Sequence, residues 1–501
     1  MKITLISPYP DITAFGIRTI SAYLKKHGHN TRMLFLPDPL GDDLIQGVER
    51  YGKNILDELI PLCRDSDLIG ITLMTNFFDG AVQITRKIKS STDIPVIWGG
   101  VHPTIRPEES MEYADMVCIG DGEDAMLELV SRMEKGEDFL DVANLWVKSN
   151  GRIIKNPLRP LATDLDIYPM PDYSLSDHYI LFDNNIREMN RELLKISLEA
   201  SPVSNYITRC GYQTMSGRGC PHKCSYCVND TLKEVYGGQN YLRWRSTGHV
   251  IDELLWVKEN MPYVGHIWFS DDSFFAKGRQ KTEEFCKAYK EKIGMPFFAL
   301  ASPMTISEEK MSLLVDAGLM CLQMGLETGS ARMQELFNRK QMSNERMLKA
   351  VHIINKYKDK ILPPHYDIIL DTPYETDIDK IETLKFISRI PKPYNLQTFS
   401  LVLYPGTKLY EMAKTDGFIV DEQRQIYSKS YTMREPNYFN LLITMSKSGR
   451  FPGFLFKFLI SPMIVNLFKS RFMKPVIKAV YICMKTSYRL VKKLWAGQTG
   501  K

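Results

Sequence analysis

The sequence predicts an α/β protein with two successive parallel-sheet domains and a basic helical tail. Two observations support this prediction. Short apolar runs typical of buried strands alternate with amphipathic helical segments, in two blocks separated by a proline-rich stretch. After Glu435 the chain contains twelve Lys or Arg but no Asp or Glu. We expect domains at 1–140 and 206–425, a linker at 141–205 and a tail at 436–501.

Length and composition are those of a globular protein. The chain has 501 residues, 44% apolar and 25% charged, which suits about two to four domains. The net charge of +5 conceals a mildly acidic main body and a strongly basic tail. Most cysteines outside one loop lie in apolar runs, where a buried thiol is usual. Without a recognisable secretion signal, we expect a reducing, cytoplasmic location.

The first block predicts a flavodoxin-like, doubly wound domain. Buried strands separated by helices form a parallel sheet covered on both faces. Ligands of such sheets bind beyond the carboxyl ends of the strands. The strands are predicted at 2–7, 31–36, 67–73, 94–98 and 115–119, and the helices at 16–27, 54–63, 79–90, 107–113 and 123–134.

Glycine-rich sequences follow the fourth and fifth of these strands. Glycine lets a backbone approach a bulky ligand closely, and neighbouring polar side chains supply contacts. The alternative is that both sequences are simply tight turns. The candidate ligand-binding residues are Gly99, Gly100, His102, Pro103 and Thr104 of GGVHPT, and Gly120, Gly122 and Glu123 of GDGED.

The stretch 141–205 is predicted to be a linker. Its first part, ANLWVKSNGRIIKN, indicates a hairpin that turns at Asn150 and Gly151. Four prolines between 157 and 171 then indicate an irregular connector. A simple spacer would have the same composition.

The second block predicts a partial (β/α)6 barrel, whose chemistry belongs at the carboxyl ends of its strands. Polar residues follow several strands, notably Asp271 and Asp272 in SDDSFF and Glu327 in GLETGS. Such carboxylates can also serve only as helix caps. The strands are predicted at 212–216, 266–270, 297–301, 320–325, 365–370 and 398–403, and the helices at 249–261, 280–292, 307–317, 343–357 and 378–389.

One loop of the second block, CPHKCSYC, contains three of the nine cysteines: Cys220, Cys224 and Cys227. Three interpretations compete. Structural zinc needs a fourth ligand, for which His222 and Cys210 are the nearest candidates. A disulfide suits small secreted chains better than this one. A [4Fe-4S] cluster held by three thiolates leaves one iron open to a substrate.

The CxxxCxxC spacing with Tyr226 before the last cysteine resembles the radical S-adenosylmethionine (radical SAM) superfamily. The resemblance implies that the three cysteines bind a [4Fe-4S] cluster and that SAM chelates its open iron. SAM cleavage would then give a 5'-deoxyadenosyl radical. It also implies that Tyr226 lies beside the adenine and that Asp271, Asp272 and Glu327 help to bind SAM.

Together with this loop, GGVHPT and GDGED resemble the cobalamin-binding domain of the B12-dependent radical SAM family. The resemblance implies that the eight candidates of the first domain contact cobalamin. The chain lacks the Asp-x-His-x-x-Gly motif that ligates cobalt in many other cobalamin domains, and His102 lies in a different context. Within the family that this chain resembles, the absence of the motif implies base-off cobalamin without a histidine ligand. The cobalt ligand is left undetermined.

The resemblance implies a cobalamin-dependent radical SAM enzyme that methylates an unactivated carbon of a small molecule. One alternative keeps both cofactors but performs oxidative cyclisation or carbon–carbon bond formation. Another is a non-enzymatic cobalamin or redox sensor, which the intact cysteine triplet disfavours. The hypothesis of a methylthiotransferase is weaker still, because no second cysteine triad precedes residue 140. An electron donor such as flavodoxin or ferredoxin is expected.

The tail at 436–501 combines aliphatic and basic residues. Val476, Val480, Cys483 and Met484 form one stripe, with Lys478, Lys485, Arg489 and Lys492 nearby. Such helices bind anionic membrane surfaces, which predicts a peripheral location on the inner face of the membrane and a lipid-like substrate. The alternative is a helical cap packed on the barrel. Nucleic acid is disfavoured, because no recognition motif accompanies the basic residues.

Overall fold

The structure is a computed structural model that describes residues 1–38, 49–429, 435–447 and 453–483. These residues form two compact units. The first unit comprises the described residues of Met1–Ala301, Ser312–Met320 and Val402–Ser430, and the second comprises those of Ser302–Met311, Cys321–Leu401 and Tyr431–Lys501.

The first unit begins with a doubly wound sheet, as predicted. Its five first strands run parallel in the order β5-β4-β3-β1-β2, which is the flavodoxin-like order. The α/β fold class is thereby confirmed for this part of the chain. The strands are β1 (Lys2–Ser7), β2 (Asn30–Phe35), β3 (Leu68–Thr72), β4 (Val96–Gly99) and β5 (Met116–Cys118).

Apolar side chains on both faces of these strands explain why helices cover the sheet on both sides. Ile3 and Ile6 of β1, for example, are completely buried. Because the sheet has no solvent-facing side, its strands are almost continuously apolar. The helices of this part are Phe15–Lys26, Lys53–Cys63, Phe78–Ser91, Val101–Ile105, Pro107–Tyr113 and Glu123–Lys135.

The predicted linker contributes four strands to the same sheet. The expected hairpin joins β6 (Leu145–Ser149) to β7 (Arg152–Lys155) through Asn150 and Gly151, both at positive φ. A second hairpin, β8 (His178–Phe182) and β9 (Asn185–Glu188), was not predicted. β6 pairs with β5 and β8 pairs with β2, so the final order is β7-β6-β5-β4-β3-β1-β2-β8-β9.

The first unit also contains three parallel strands of the second predicted block: β10 (Gly211–Thr214), β13 (His266–Phe269) and β14 (Phe297–Ala301). Between β10 and β13 lies a short antiparallel pair, β11 (Gly217–Arg218) and β12 (Arg243–Trp244). The helices of this region are Arg191–Glu199, Pro202–Ile207, Val228–Val235, Thr247–Asn260, Arg279–Lys292 and Lys408–Thr415. Helix Glu308–Ala317 follows β14.

The remaining parallel strands are β15 (Leu319–Glu327), β16 (His365–Leu370) and β17 (Asn395–Ser400). They lie in the second unit, except for the first two residues of β15. Along the chain, six strands thus alternate with helices in the order expected of a partial (β/α)6 barrel. The last strand begins at Asn395, before its predicted start. The helices of this unit are Ala331–Leu336, Asn344–Asn355, Asp377–Ile387, Tyr438–Ser446, Gly453–Leu459 and Pro462–Lys469.

The described part of the tail is helical and divides into a buried and an exposed portion. Tyr438 stacks on Phe468, and Asn440 donates a hydrogen bond to Asp371 at 2.7 Å. Further along, Met463 and Phe472 are 79% and 90% exposed. No helix among the described residues is long and apolar enough to cross a membrane. The tail residues Met484, Lys485, Arg489 and Lys492 lie outside the described part.

Candidate active site

The three cysteines of CPHKCSYC lie in one turn that ends at helix Val228–Val235. The Cys227 N–H donates to the Cys224 carbonyl at 3.1 Å, which closes the turn. Backbone N–H groups of His222 and Asn229 donate to the thiols of Cys220 and Cys227. Cys224 is buried and the other two thiols are partly exposed. Tyr226 is also partly exposed.

The electrostatics of the loop show that the three thiols lie near one another. Burial raises the pKa of Cys220 to about 11 and that of Cys227 to about 12. Repulsion from Cys224 and Asp272 adds to both shifts. Such thiols ionise only beside a positive centre, and bound iron supplies one. The donor set therefore fits an iron–sulfur cluster.

A single metal ion is a different case. Among the described residues, no three His, Cys, Asp or Glu side chains meet closely enough to hold one ion. In a four-iron cluster, by contrast, each cysteine binds a different iron.

Asp272 lies beside the cysteine loop. Its carboxylate accepts hydrogen bonds from Asn229 and from the Gly219 N–H, and burial raises its pKa. Its side chain is nevertheless accessible to solvent. The carboxylate is therefore tied to the loop by these two hydrogen bonds and is still open to a ligand. The structure thus places this candidate SAM residue at the cysteines, while its contact with SAM stays a prediction.

Asp271 has a different position. It is 1% exposed and accepts hydrogen bonds from the Ser216 N–H at 3.0 Å and the Ser216 hydroxyl at 2.6 Å. Lys277 lies 3.8 Å away and also donates to Ser216. The geometry favours the alternative of a structural carboxylate over direct SAM contact, because both oxygens are used within the protein.

Two glycines let the cysteine loop leave β11. A β-carbon on Gly219, which has φ +91°, would meet the Tyr241 carbonyl oxygen at 2.5 Å. A β-carbon on Gly217 would meet the Trp244 ring at 2.3 Å. Since neither space admits a side chain, the approach to Cys220 depends on glycine at both positions.

The segment after β17 also contacts the cysteine loop. The Leu409 N–H donates to the Ser225 carbonyl at 2.8 Å, and Lys408 pairs with Asp230 at 2.8 Å. Thr231 donates to the Gly406 carbonyl at 2.6 Å. Lys408 and Asp230 belong to no recognisable sequence motif and lie far apart in the chain, so only the fold shows that they support the cysteine loop.

Glu327 lies in the second unit, at the end of β15. It is in the left-handed region at φ +66°, next to a register shift between Gly325 and Glu327. Its carboxylate lies 3.9 Å from the Arg339 guanidinium. A strained non-glycine backbone of this kind is typical of functional sites. Its role in SAM binding stays a prediction.

The GGVHPT residues form the turn after β4. Gly100 has φ +101°, and a β-carbon there would meet the Leu73 carbonyl oxygen at 2.9 Å. Thr104 accepts a hydrogen bond from the Gly120 N–H at 2.9 Å, which ties the two glycine-rich turns together. Gly99 and Gly100 are partly exposed, whereas Pro103 and Thr104 are buried. The two glycines are therefore the candidates of this segment that a bulky ligand can approach.

His102 is completely buried. Its Nδ1 lies 3.1 Å from the Thr75 hydroxyl and its Nε2 lies 3.4 Å from Glu109. The side chain therefore belongs to an internal polar network. This geometry does not support the expected contact between the imidazole and cobalamin.

The GDGED residues face the cysteine-bearing part of the first unit. The Tyr236 hydroxyl fills the space beside Gly120, and Arg218 pairs with Glu123 at 2.5 Å. Direct contact of the Glu123 carboxylate with cobalamin is therefore not supported, because it is buried and paired within the protein. Gly120 and Gly122 are both partly exposed and stay candidates.

Two family models match the chain. The B12 binding domain matches residues 1–130, and the radical SAM superfamily matches residues 214–387. The chain therefore contains a B12-binding domain followed by a radical SAM domain.

Three curated relatives are similar to most of this chain. An uncharacterized methyltransferase of Pyrococcus horikoshii is 25% identical over 71% of this chain and 71% of its own length. The anaerobic magnesium-protoporphyrin IX monomethyl ester cyclase of Rubrivivax gelatinosus is 24% identical over 77% of this chain and 63% of its own. The bacteriochlorophyllide d C-8(2)-methyltransferase of Chlorobaculum tepidum is 22% identical over 81% of this chain and 78% of its own.

A solved structure shares the fold. The radical SAM methyltransferase TsrM from Kitasatospora setae, with cobalamin and a [4Fe-4S] cluster bound, has a TM-score of 0.64 at 16% identity. The match covers 83% of this chain and 78% of that one.

Proposed function

We propose that this protein is a cobalamin-dependent radical SAM enzyme that transfers a methyl group to an unactivated carbon of a small molecule. The observation that carries the proposal is the convergence of Cys220, Cys224 and Cys227 in a chain that also has a B12-binding domain. Methyltransferases among the relatives and the solved structures support the reaction class.

The chain's own residues hold and orient the cofactors. The three thiolates bind the cluster, and N–H groups of His222 and Asn229 stabilise their negative charge. Asp272 presents a solvent-accessible carboxylate beside them, where it can accept hydrogen bonds from SAM. When bound, the cluster and SAM supply a carbon radical and cobalamin supplies the methyl group.

The first test is the metal content of protein purified anaerobically with cobalamin supplied. We expect about four iron and about one cobalt per chain. Cys224→Ala should lose iron, whereas Cys286→Ala, which removes a buried cysteine elsewhere, should keep it. Transfer of a labelled SAM methyl to a product would establish the reaction. Iron without cobalt in the native protein would exclude it.

A second candidate function is oxidative cyclisation, which the cyclase of Rubrivivax gelatinosus favours. The two reactions differ in the mass of the product. Methylation adds one labelled methyl group, whereas cyclisation adds none and removes hydrogen. An electron donor such as flavodoxin or ferredoxin would serve either reaction.

We also propose that the exposed part of the tail binds an anionic membrane surface, which would suit a lipid-like substrate. Large apolar side chains, among them Met463 and Phe472, are exposed beside Arg471 and Lys474. An apolar surface flanked by cations favours anionic lipid. Sedimentation with vesicles containing about a third anionic lipid should fall for Phe472→Ser. Equal binding by the variant would contradict the proposal.

A further inference from the structure

Arg218 lies two positions before Cys220, and its guanidinium points away from the cysteine loop toward the first domain. Nη2 lies 2.5 Å from Glu123 Oε1, and Nη1 lies 3.3 Å from Glu123 Oε2. Nη1 also lies 3.2 Å from Asp121 Oδ2. One arginine thus joins the cysteine loop to two carboxylates of the turn after β5.

A second arginine completes the cluster. Arg243, paired with Arg218 in the short β11-β12 ladder, donates to Asp121 Oδ2 at 2.9 Å and to the Ala162 carbonyl at 2.9 Å. Glu123 is 3% exposed. Arg243 is also buried, whereas the side chains of Arg218 and Asp121 are partly exposed. The two buried charges keep their partners in place, because a buried charge left unpaired is strongly destabilising.

The connection from this cluster to Cys220 is stiff. Gly219 is the intervening residue, and its N–H donates to Asp272. Its α-carbon lies close against Tyr241, since a β-carbon would come within 2.5 Å of that carbonyl oxygen. A shift of Arg218 therefore cannot be absorbed by Gly219 without breaking these contacts.

We propose that Arg218 is a positioning residue which, through Glu123 and Asp121, couples the turn after β5 in the first domain to the Cys220 loop. The inference rests on the proposed function, because the ligands of the two ends are cobalamin and the iron–sulfur cluster. Cobalamin then binds more tightly when the cluster is present, and by linkage the cluster is held more tightly when cobalamin is bound.

The test measures this coupling without a substrate. The Kd of hydroxocobalamin is determined for cluster-free and reconstituted protein, with iron content and the electron paramagnetic resonance signal of the reduced cluster as further readouts. In the native protein we expect the cluster to tighten cobalamin binding about fivefold or more. In Arg218→Gln the ratio should fall to about one.

Two further variants sharpen the test. Arg218→Lys keeps the positive charge needed for folding but loses the two-pronged contact with Glu123, so the ratio should also fall. Arg279→Gln removes the guanidinium of an exposed pair with Glu283 and should leave the ratio unchanged.

The outcomes separate this inference from the proposed function. A native ratio near one, or an unchanged ratio in both Arg218 variants, would overturn the coupling while leaving the enzyme class intact. Native protein that binds no cobalamin would overturn both.

Discussion

The Tyr236 hydroxyl lies 1.9 Å from the position that a β-carbon would take on Gly120. The same hydroxyl accepts a hydrogen bond from the Asp121 N–H at 2.7 Å. The glycine is therefore needed for contact within the protein, and the tyrosine closes the turn after β5.

Gly120→Ala should be strongly destabilising. The new methyl would displace Tyr236, and alanine would also be strained at φ +80°. We expect a loss of about 3 kcal/mol in the free energy of unfolding, measured with denaturant. Gly136→Ala is the control, because it has φ +68° with nothing within 4 Å and should cost only about 1 kcal/mol of backbone strain. Equal losses would show that Tyr236 can move aside.

Lys277→Met tests the structural role of Asp271. The ammonium lies 4.2 Å and 3.8 Å from the ring centres of Trp244 and Phe274, beside Asp271 and Ser216. Its removal leaves a buried carboxylate without a counter-charge, at a cost of about 3 kcal/mol. Thermal unfolding should show the loss.

Two further variants check this interpretation of Lys277. Lys277→Met combined with Asp271→Asn should recover part of the stability, because it removes the orphaned charge. Lys281→Met, at an exposed position of the next helix, should change little. Failure of the double variant to recover would argue that Asp271 acts elsewhere.

The raised pKa of Asp367 should make the free energy of unfolding depend on pH. Burial, with repulsion from Glu327, raises its pKa to about 8. The folded protein therefore binds a proton more tightly than the unfolded chain, so this group's contribution to stability is lost as pH rises from about 4 to about 8. Asp367→Asn should remove that loss and stabilise the protein at pH 8.5 by about 2 kcal/mol, since the side chain retains some solvent contact.

The Asp367→Asn measurement needs both ends of the pH range. At pH 4.5 the variant and the native protein should unfold at similar temperatures. A difference of the same size at both pH values would show that packing, not ionisation, distinguishes them.

Two substitutions of Glu327 distinguish its effect on folding stability from its effect on SAM affinity. Glu327→Gly relieves the backbone strain at φ +66°, so it should be about 1 kcal/mol more stable than Glu327→Ala. If the carboxylate binds SAM, both variants should lose affinity about tenfold in calorimetric titration of reconstituted protein. Undiminished affinity would remove Glu327 from the SAM site.

Local patterns in the sequence predicted the strands and helices well, because apolar runs and amphipathic segments report burial directly. β1, for instance, is the buried run KITLIS. The cysteine spacing likewise predicted the loop. The hairpin of β8 and β9 was not predicted, because its strands are short and follow a proline-rich segment.

Long-range partners explain the remaining differences. Adjacent Asp271 and Asp272 are indistinguishable in sequence, and only the fold turns the first toward Ser216 and the second toward the cysteine loop. Glu123 was expected to contact cobalamin because it belongs to the GDGED sequence after a strand. Its actual partner, Arg218, lies 95 positions away and could not be identified from the sequence. Polar residues at strand ends thus indicated the region of a candidate site. They did not indicate which partner each side chain has in the folded protein.

The hairpins at both ends of the first sheet have a practical consequence for dissecting the protein. A fragment ending at residue 140 would lack β6 and β8, which pair with β5 and β2. Its sheet would then expose two unpaired, mostly apolar edge strands, β5 and β2, which invite intermolecular strand pairing. An isolated B12-binding fragment should accordingly stay monodisperse only if it extends past Glu188, the end of β9.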